Sequence, residues 1–192
     1  MQYSTADTLA NAQSNSLDIC LSELGKEIFV PGGTFSKGSW DFYPEEAPVR
    51  QVSAGGFWID THEVTNLQFA RFVRETGYIT VAERTRVVEG QIIPPGSTVF
   101  EPKNLVDSSQ SRTWWTFVPE ASWQKPYGPG SSLEGLWYHP VVHVVREDAQ
   151  AYAAWSGREL PNEIQWEFAA RAGFEDAVYE WGSEVSRDGN HK

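Results

Sequence analysis

The stretch HPVVHVVREDAQAYAAWSGRELPNEIQWEFAARAGFEDAVYEWG, His139 to Gly182, decides the fold class. Its opening, His139 to Val145, sets four valines around a proline and predicts a strand. A helix follows over Glu147–Ser156, closed by Gly157, since glycine adopts the left-handed turn that ends a helix at no steric cost. A second helix is capped by Asn162, with Gln165 three positions on to complete a capping box, and stops before Gly173. An apolar strand feeding two capped helices indicates a mixed α+β fold.

Outward from this core the same signals recur. Thr65 and Gln68 form a second capping box, Phe69, Phe72 and Val73 line one helical face, and Gly77 supplies the stop. Further upstream, EIFVPGGTF from Glu27 reads as two strands joined at a Pro-Gly-Gly turn, and RQVSAGGFWID, Arg50 to Asp60, as another strand pair bent at Gly55-Gly56. Both have the look of hairpins. Residues 84–138 carry neither period, but Trp114, Trp115, Trp123 and Trp137 are scattered through them. Chains that stay unfolded are poor in aromatics, so this region is expected to be an ordered surface built of loops. Residues 1–26 read as a polar leader and 27–192 as the domain.

Composition excludes several functions. A chain of 192 residues is long enough to remove roughly 70% of its unfolded surface from water, and nine Trp, seven Tyr and ten Phe furnish a core. A net charge of −11 argues against nucleic acid, whose phosphates demand clustered Lys and Arg. No run approaches the ~20 apolar residues of a membrane span, and the first residues lack the basic start and apolar run of a secretory signal. The expected location is therefore cytoplasmic. Cys20 is the single cysteine, so neither an internal disulfide nor an all-cysteine metal site is available.

The motifs for chemistry are thin. YGPGSSLEG lacks the Gly-Lys-Ser/Thr of a phosphate loop, and no Gly-x-Ser-x-Gly elbow exists. His139 and His143 have metal-like spacing, but in an extended strand four residues span roughly 13 Å, too far for one ion. Glu163 and Glu167 stand at i and i+4, a spacing open to acid–base work, although a carboxylate in the first turn is explained by the helix dipole alone. No residue is assigned a catalytic role.

Taken together, FVPGGTFSKG (Phe29–Gly38), EEAPVRQV (Glu45–Val52), FWIDTHEVTNLQFARFV (Phe57–Val73), SWQKPYGPGSS (Ser122–Ser132), LPNEIQWEFAARAGF (Leu160–Phe174) and YEWG resemble the formylglycine-generating enzymes, or sulfatase-modifying factors. The resemblance implies the sulfatase-modifying-factor variant of the C-type lectin-like fold. It implies an oxidoreductase that turns a sulfatase cysteine into formylglycine with oxygen and copper, and a sulfatase-type peptide as partner. By the same likeness Trp123 helps to line the peptide groove and Ser97 and Phe100 lie near it as further substrate-binding candidates, the alternative for Trp123 being a loop anchor with no ligand. The family's copper-holding cysteine pair and calcium ligands fall beyond the matched motifs. The expectation is thus a C-terminally incomplete domain, inactive alone, that a complementing C-terminal segment would finish. The alternative is a non-catalytic peptide-binding or interaction module on the same scaffold.

Three departures from the family pattern stand out. Lys37 occupies the place of a methionine before Gly38, Val145 that of a serine expected to cap the next helix, and Gln124-Lys125 that of Arg-His after the tryptophan. Loss of a cap costs about 0.5–2 kcal/mol.

Overall fold

The computed structural model describes residues 25–100, 114–174, 179 and 182. The polar leader up to residue 24, with Cys20, lies outside them. The described chain forms eight short strands and three α-helices, in order β1 (Glu27–Val30), β2 (Gly33–Lys37), β3 (Arg50–Ala54), β4 (Phe57–Asp60), α1 (Asn66–Thr76), β5 (Arg86–Val88), β6 (Gln91–Ile93), β7 (Gly96–Phe100), β8 (Trp115–Pro119), α2 (Arg146–Trp155) and α3 (Glu163–Arg171). Helices mixed with small sheets and much irregular chain are what the sequence predicts. The chain divides into two compact units, one spanning His62–Leu160 and the other Lys26–Thr61 with the chain from Pro161 onward.

In the unit formed by the two ends, the four strands appear where expected but pair differently. Instead of two local hairpins, β1 pairs antiparallel with β4 and β2 with β3, giving two separate two-stranded ribbons. The reason lies in the glycines at the two bends. A Cβ on Gly32 would sit 2.7 Å from the Ala54 carbonyl oxygen, and one on Gly56 would sit 2.7 Å from the Phe29 ring, so only glycine lets the bends nest against each other. Phe29 and Trp58 then meet across β1 and β4 at 5.4 Å. Helix α3 packs on the other ribbon, with Phe168 against Phe35 at 5.3 Å. Its cap is the predicted one: Asn162 Oδ1 accepts from the Gln165 N–H at 2.9 Å, and Gln165 Oε1 accepts from the Asn162 N–H at 3.0 Å.

The second unit holds the main core. Helix α1 starts at the predicted capping box, where Gln68 Oε1 accepts the Thr65 N–H at 2.8 Å, and ends on Gly77 at φ 68°. Its Phe69 and Phe72 are buried with Trp123 and Leu133 in one cluster, and Tyr152 and Trp155 of α2 pack against it. Aromatic rings meet edge-on here, Phe69 to Trp123 at 5.3 Å and Phe72 to Tyr152 at 5.7 Å, the arrangement their quadrupoles favour.

Two expectations are corrected in this unit. The strand over His139–Val145 does not form: Pro140 makes an isolated bridge to Thr65, and at His143 the backbone turns to φ 58°. A carbonyl oxygen only accepts, so His143 Nε2–H donates to the Pro126 oxygen 2.8 Å away, anchoring the ring where the chain leaves extended geometry. The structural role expected of His143 holds, although the extended-strand argument does not. Nor is the region 84–138 free of strands. It contains the β5–β6 and β7–β8 ribbons, the first closed by Glu89 and Gly90 at φ 50° and 80°, a pair of left-handed residues that makes a tight hairpin.

Candidate functional site

The three residues expected near a peptide groove do not share one surface. Trp123 is only 3% exposed, inside the α1 core, and its Nε1–H has no hydrogen-bond partner among the described residues. The structure thus shows it as an anchor for the loop after β8. Ser97 and Phe100 lie on β7, three residues apart, and side chains alternate along a strand, so they project to opposite faces of the ribbon. Ser97 shares its face with buried Val99, whereas Phe100 is 45% exposed.

Phe100 has company that sequence reading passed over. Register places it opposite Trp115, and Thr98 opposite Phe117, all on the same face. Trp115 is 62% and Phe117 39% exposed, and the Phe100 ring lies 5.4 Å from Trp115 and 5.6 Å from Trp114. The signal was present as the alternation of Trp115-Thr-Phe-Val-Pro119, obscured by the proline- and glycine-rich chain around it.

A second unforeseen feature is Asp148. It is fully buried at the third position of α2, with Oδ2 accepting the Val145 N–H at 2.9 Å. Oδ1 accepts the Tyr78 hydroxyl and the Val81 N–H, each at 3.0 Å. Val145 sits at the N-cap with no side-chain acceptor to offer, as its departure from the family pattern implied. Asp148 supplies half of the missing box from inside the helix and ties the helix start to the chain after α1. Burial and then the hydrogen bond to this carboxylate push the Tyr78 hydroxyl up to about 12. The unfolded chain releases the tyrosine proton near pH 10 while the folded chain keeps it. The stability this gives is therefore complete below about pH 10 and falls away as pH rises toward 12. In urea titrations across that range, Tyr78→Phe is expected to flatten the alkaline decline; an equally steep decline in the variant would refute the assignment.

In the other unit, the carboxylates of α3 are held by cations. Lys37 Nζ donates to Glu163 and lies 4.0 Å from Glu167, and Glu167 Oε1 accepts from Arg171 at 2.7 Å and from the Gly38 N–H at 3.1 Å. The hydrogen bond from Lys37 holds the exposed Glu163 carboxyl below its usual range. A structural clamp accounts for both glutamates and for the lysine that replaces the family's methionine. Because burying an ammonium offsets most of what its ion pair returns, Lys37→Met is expected to change stability by less than about 1 kcal/mol. Glu167→Ala, which takes an acceptor from Arg171 and from the Gly38 N–H while Lys37 keeps Glu163, is expected to cost about 2 kcal/mol in the same denaturation assay. Equal losses in the two variants would contradict this ranking.

A family model described as a sulfatase-modifying factor enzyme 1-like domain matches residues 16–192. The chain belongs to that family. Within the sulfatase-modifying factor family, the formylglycine-generating enzyme of Mycobacterium tuberculosis is 46% identical over 169 residues, covering 84% of this chain and 56% of that protein. The protein named inactive C-alpha-formylglycine-generating enzyme 2 of Bos taurus is 43% identical, covering 81% of this chain and 52% of its own length. Among solved structures, PvdO from Pseudomonas aeruginosa aligns with a TM-score of 0.46 at 21% identity, over 78% of this chain and 48% of that one. The chain spans about half the length of the curated relatives it matches.

The family likeness implies copper and calcium, and the donor set can be tested against them. Copper(I) held by two thiolates needs two cysteines at close range, and the sequence has one. Among the described residues no group of three or more His, Cys, Asp or Glu converges as a metal site would require. The single cysteine does not fit a two-thiolate copper site, and among the described residues no carboxylate cluster fits calcium. Among the described residues, no helix is long and apolar enough to cross a membrane.

Proposed function

We propose that this chain provides the scaffold and part of the peptide-facing surface of a formylglycine-generating-type protein, and that its 192 residues alone do not oxidise cysteine. The observation that carries the reading is the pairing of 46% identity to a formylglycine-generating enzyme with a single cysteine in the whole sequence. The proposed reaction of the complete assembly is oxygen- and copper-dependent oxidation of a sulfatase cysteine to formylglycine, with the copper cysteines and the calcium ligands supplied by a complementing C-terminal segment. The same reading takes the fold as the sulfatase-modifying-factor variant of the C-type lectin-like fold and the setting as cytoplasmic. Trp123 in this reading sets the loop that borders the peptide, Phe100 faces the peptide from β7, and Ser97 supports that strand from its other face.

The test is an aldehyde assay with Cu(I), oxygen and a Cys-x-Pro-x-Arg peptide. No aldehyde is expected from the chain alone, and robust formation would overturn the proposal. A second reading, a non-catalytic interaction module, is favoured by the 43% identity to a relative named inactive. Adding the C-terminal half of the Mycobacterium tuberculosis enzyme in trans separates the two: restored aldehyde supports the scaffold reading, and peptide binding without it supports the module.

A further inference from the structure

Arg86, at the start of β5, is the one Arg or Lys among the described residues that is neither exposed nor paired. Its Nε–H is buried and donates to nothing, in a chain that carries 26 Asp and Glu. The carboxylates near it in sequence are engaged elsewhere or point away. Glu83 Oε2 accepts the Thr80 N–H and hydroxyl at 2.9 and 2.7 Å, Glu147 holds Arg84 at 2.7 Å, and Glu89, exposed in the hairpin turn, forms no ion pair with Arg86. Other cations withdrawn from water have acceptors, Lys37 in Glu163 and Arg171 in Glu167. A buried donor on a charged group costs more when unsatisfied than a neutral one, so a fold that keeps such a donor calls for a ligand to explain it.

The β5–β6 ribbon sets what surrounds the guanidinium. Register pairs Arg86 with Ile93 and Val88 with Gln91, so these four share one face, while Val87 and Ile92, 71% and 73% exposed, lie on the other. Arg86 and Ile93 are the half-buried pair, and Gln91 stands diagonally across from Arg86, a separation that long side chains bridge. The Gln91 amide is exposed and has no hydrogen-bond partner. Guanidinium and amide both bring N–H donors to this face, and Val88 and Ile93 bring apolar surface beside them.

The geometry points to an oxyanion site on this face of the β5–β6 ribbon, in which Arg86 and Gln91 hold a carboxylate whose short aliphatic tail rests on Val88 and Ile93. A carboxylate suits it better than phosphate, because two oxygens match the planar guanidinium fork and a chain of net charge −11 repels a dianion more strongly than a monoanion. The site does not depend on the proposed cysteine oxidation and stands or falls without it.

The test follows the Arg86 Nε–H in proton–nitrogen NMR spectra of the full chain at mildly acidic pH, assigned by its disappearance in Arg86→Lys. Butyrate, acetate, phosphate or chloride is added at constant ionic strength. Butyrate is expected to move this signal saturably in the millimolar range, and acetate to need about threefold more, since it lacks two methylenes that the site partly covers. Gln91→Ala should weaken butyrate binding about threefold, the worth of one neutral hydrogen bond. Arg86→Met, which removes the unsatisfied charge and keeps an apolar stem, is expected to keep or raise the urea midpoint while the Ile93 amide no longer responds to butyrate. Signals of the exposed Arg50, Arg74 and Arg146 should stay in place. A drift that never saturates, an equal response to chloride, or a butyrate response retained in Arg86→Met would overturn the site. Saturation by phosphate at lower concentration than butyrate would overturn the carboxylate assignment.

Discussion

Asp148→Ala is expected to remove about 3 kcal/mol from the unit containing α1 and α2, because it deprives three donors of one acceptor at a buried site. Unsatisfied polar groups in an interior lose their water without recovering the bond, and each costs about 1–3 kcal/mol. The Val145 N–H at the helix start loses the Asp148 Oδ2 that accepts from it. Urea denaturation followed by circular dichroism measures the loss directly. Asp148→Asn keeps one acceptor oxygen and should retain part of the stability. A midpoint unchanged by Asp148→Ala would show that the carboxylate is dispensable. Tyr78→Phe, which removes one of the three donors with its partner left in place, should cost about 1 kcal/mol.

Phe69→Ala is expected to cost more, about 3–5 kcal/mol, comparable with the whole stability of many domains. The ring touches Phe72, Trp123 and Tyr152, each from a different stretch of chain, so no single neighbour can move in to fill the space. The expected result is a chain that no longer melts cooperatively in this unit, with a red shift of tryptophan emission as Trp123 becomes wet. Phe69→Leu, smaller by part of a ring, should lose less than half as much. A Phe69→Ala variant with a native emission maximum and an unchanged midpoint would mean that the aromatic cluster is not the core.

These two residues mark the range of what local sequence conveys. Phe69 was visible because a helix repeats every 3.6 residues and its ends announce themselves: Thr65, Gln68 and Gly77 act within a few positions of one another. The α3 start at Asn162 was legible for the same reason. Asp148 was not, because an acidic residue near a helix start reads as an ordinary dipole effect until Tyr78 and Val81, far away in the chain, are found donating to it. Strand pairing was misjudged for a related reason. Gly32 and Gly56 signal bends, but whether a bend joins two paired strands or passes the chain from one ribbon to the other depends on which backbone it meets.

The candidate surface shows the same division. Trp123, Ser97 and Phe100 were chosen by likeness to a family, which marks positions in a sequence and not the faces they occupy. Alternation on β7 separates Ser97 from Phe100, and packing on Phe69 takes Trp123 inside. The sequence by itself determined the helices, their caps, the mixed α+β class and the family, since each rests on short-range geometry or on residue identity. Tertiary structure alone decided which strands pair, which aromatics are buried or exposed, and that Lys37, Glu163 and Glu167 form a clamp and not a reactive site. Those outcomes depend on distances between residues far apart in the chain, and no local pattern encodes them.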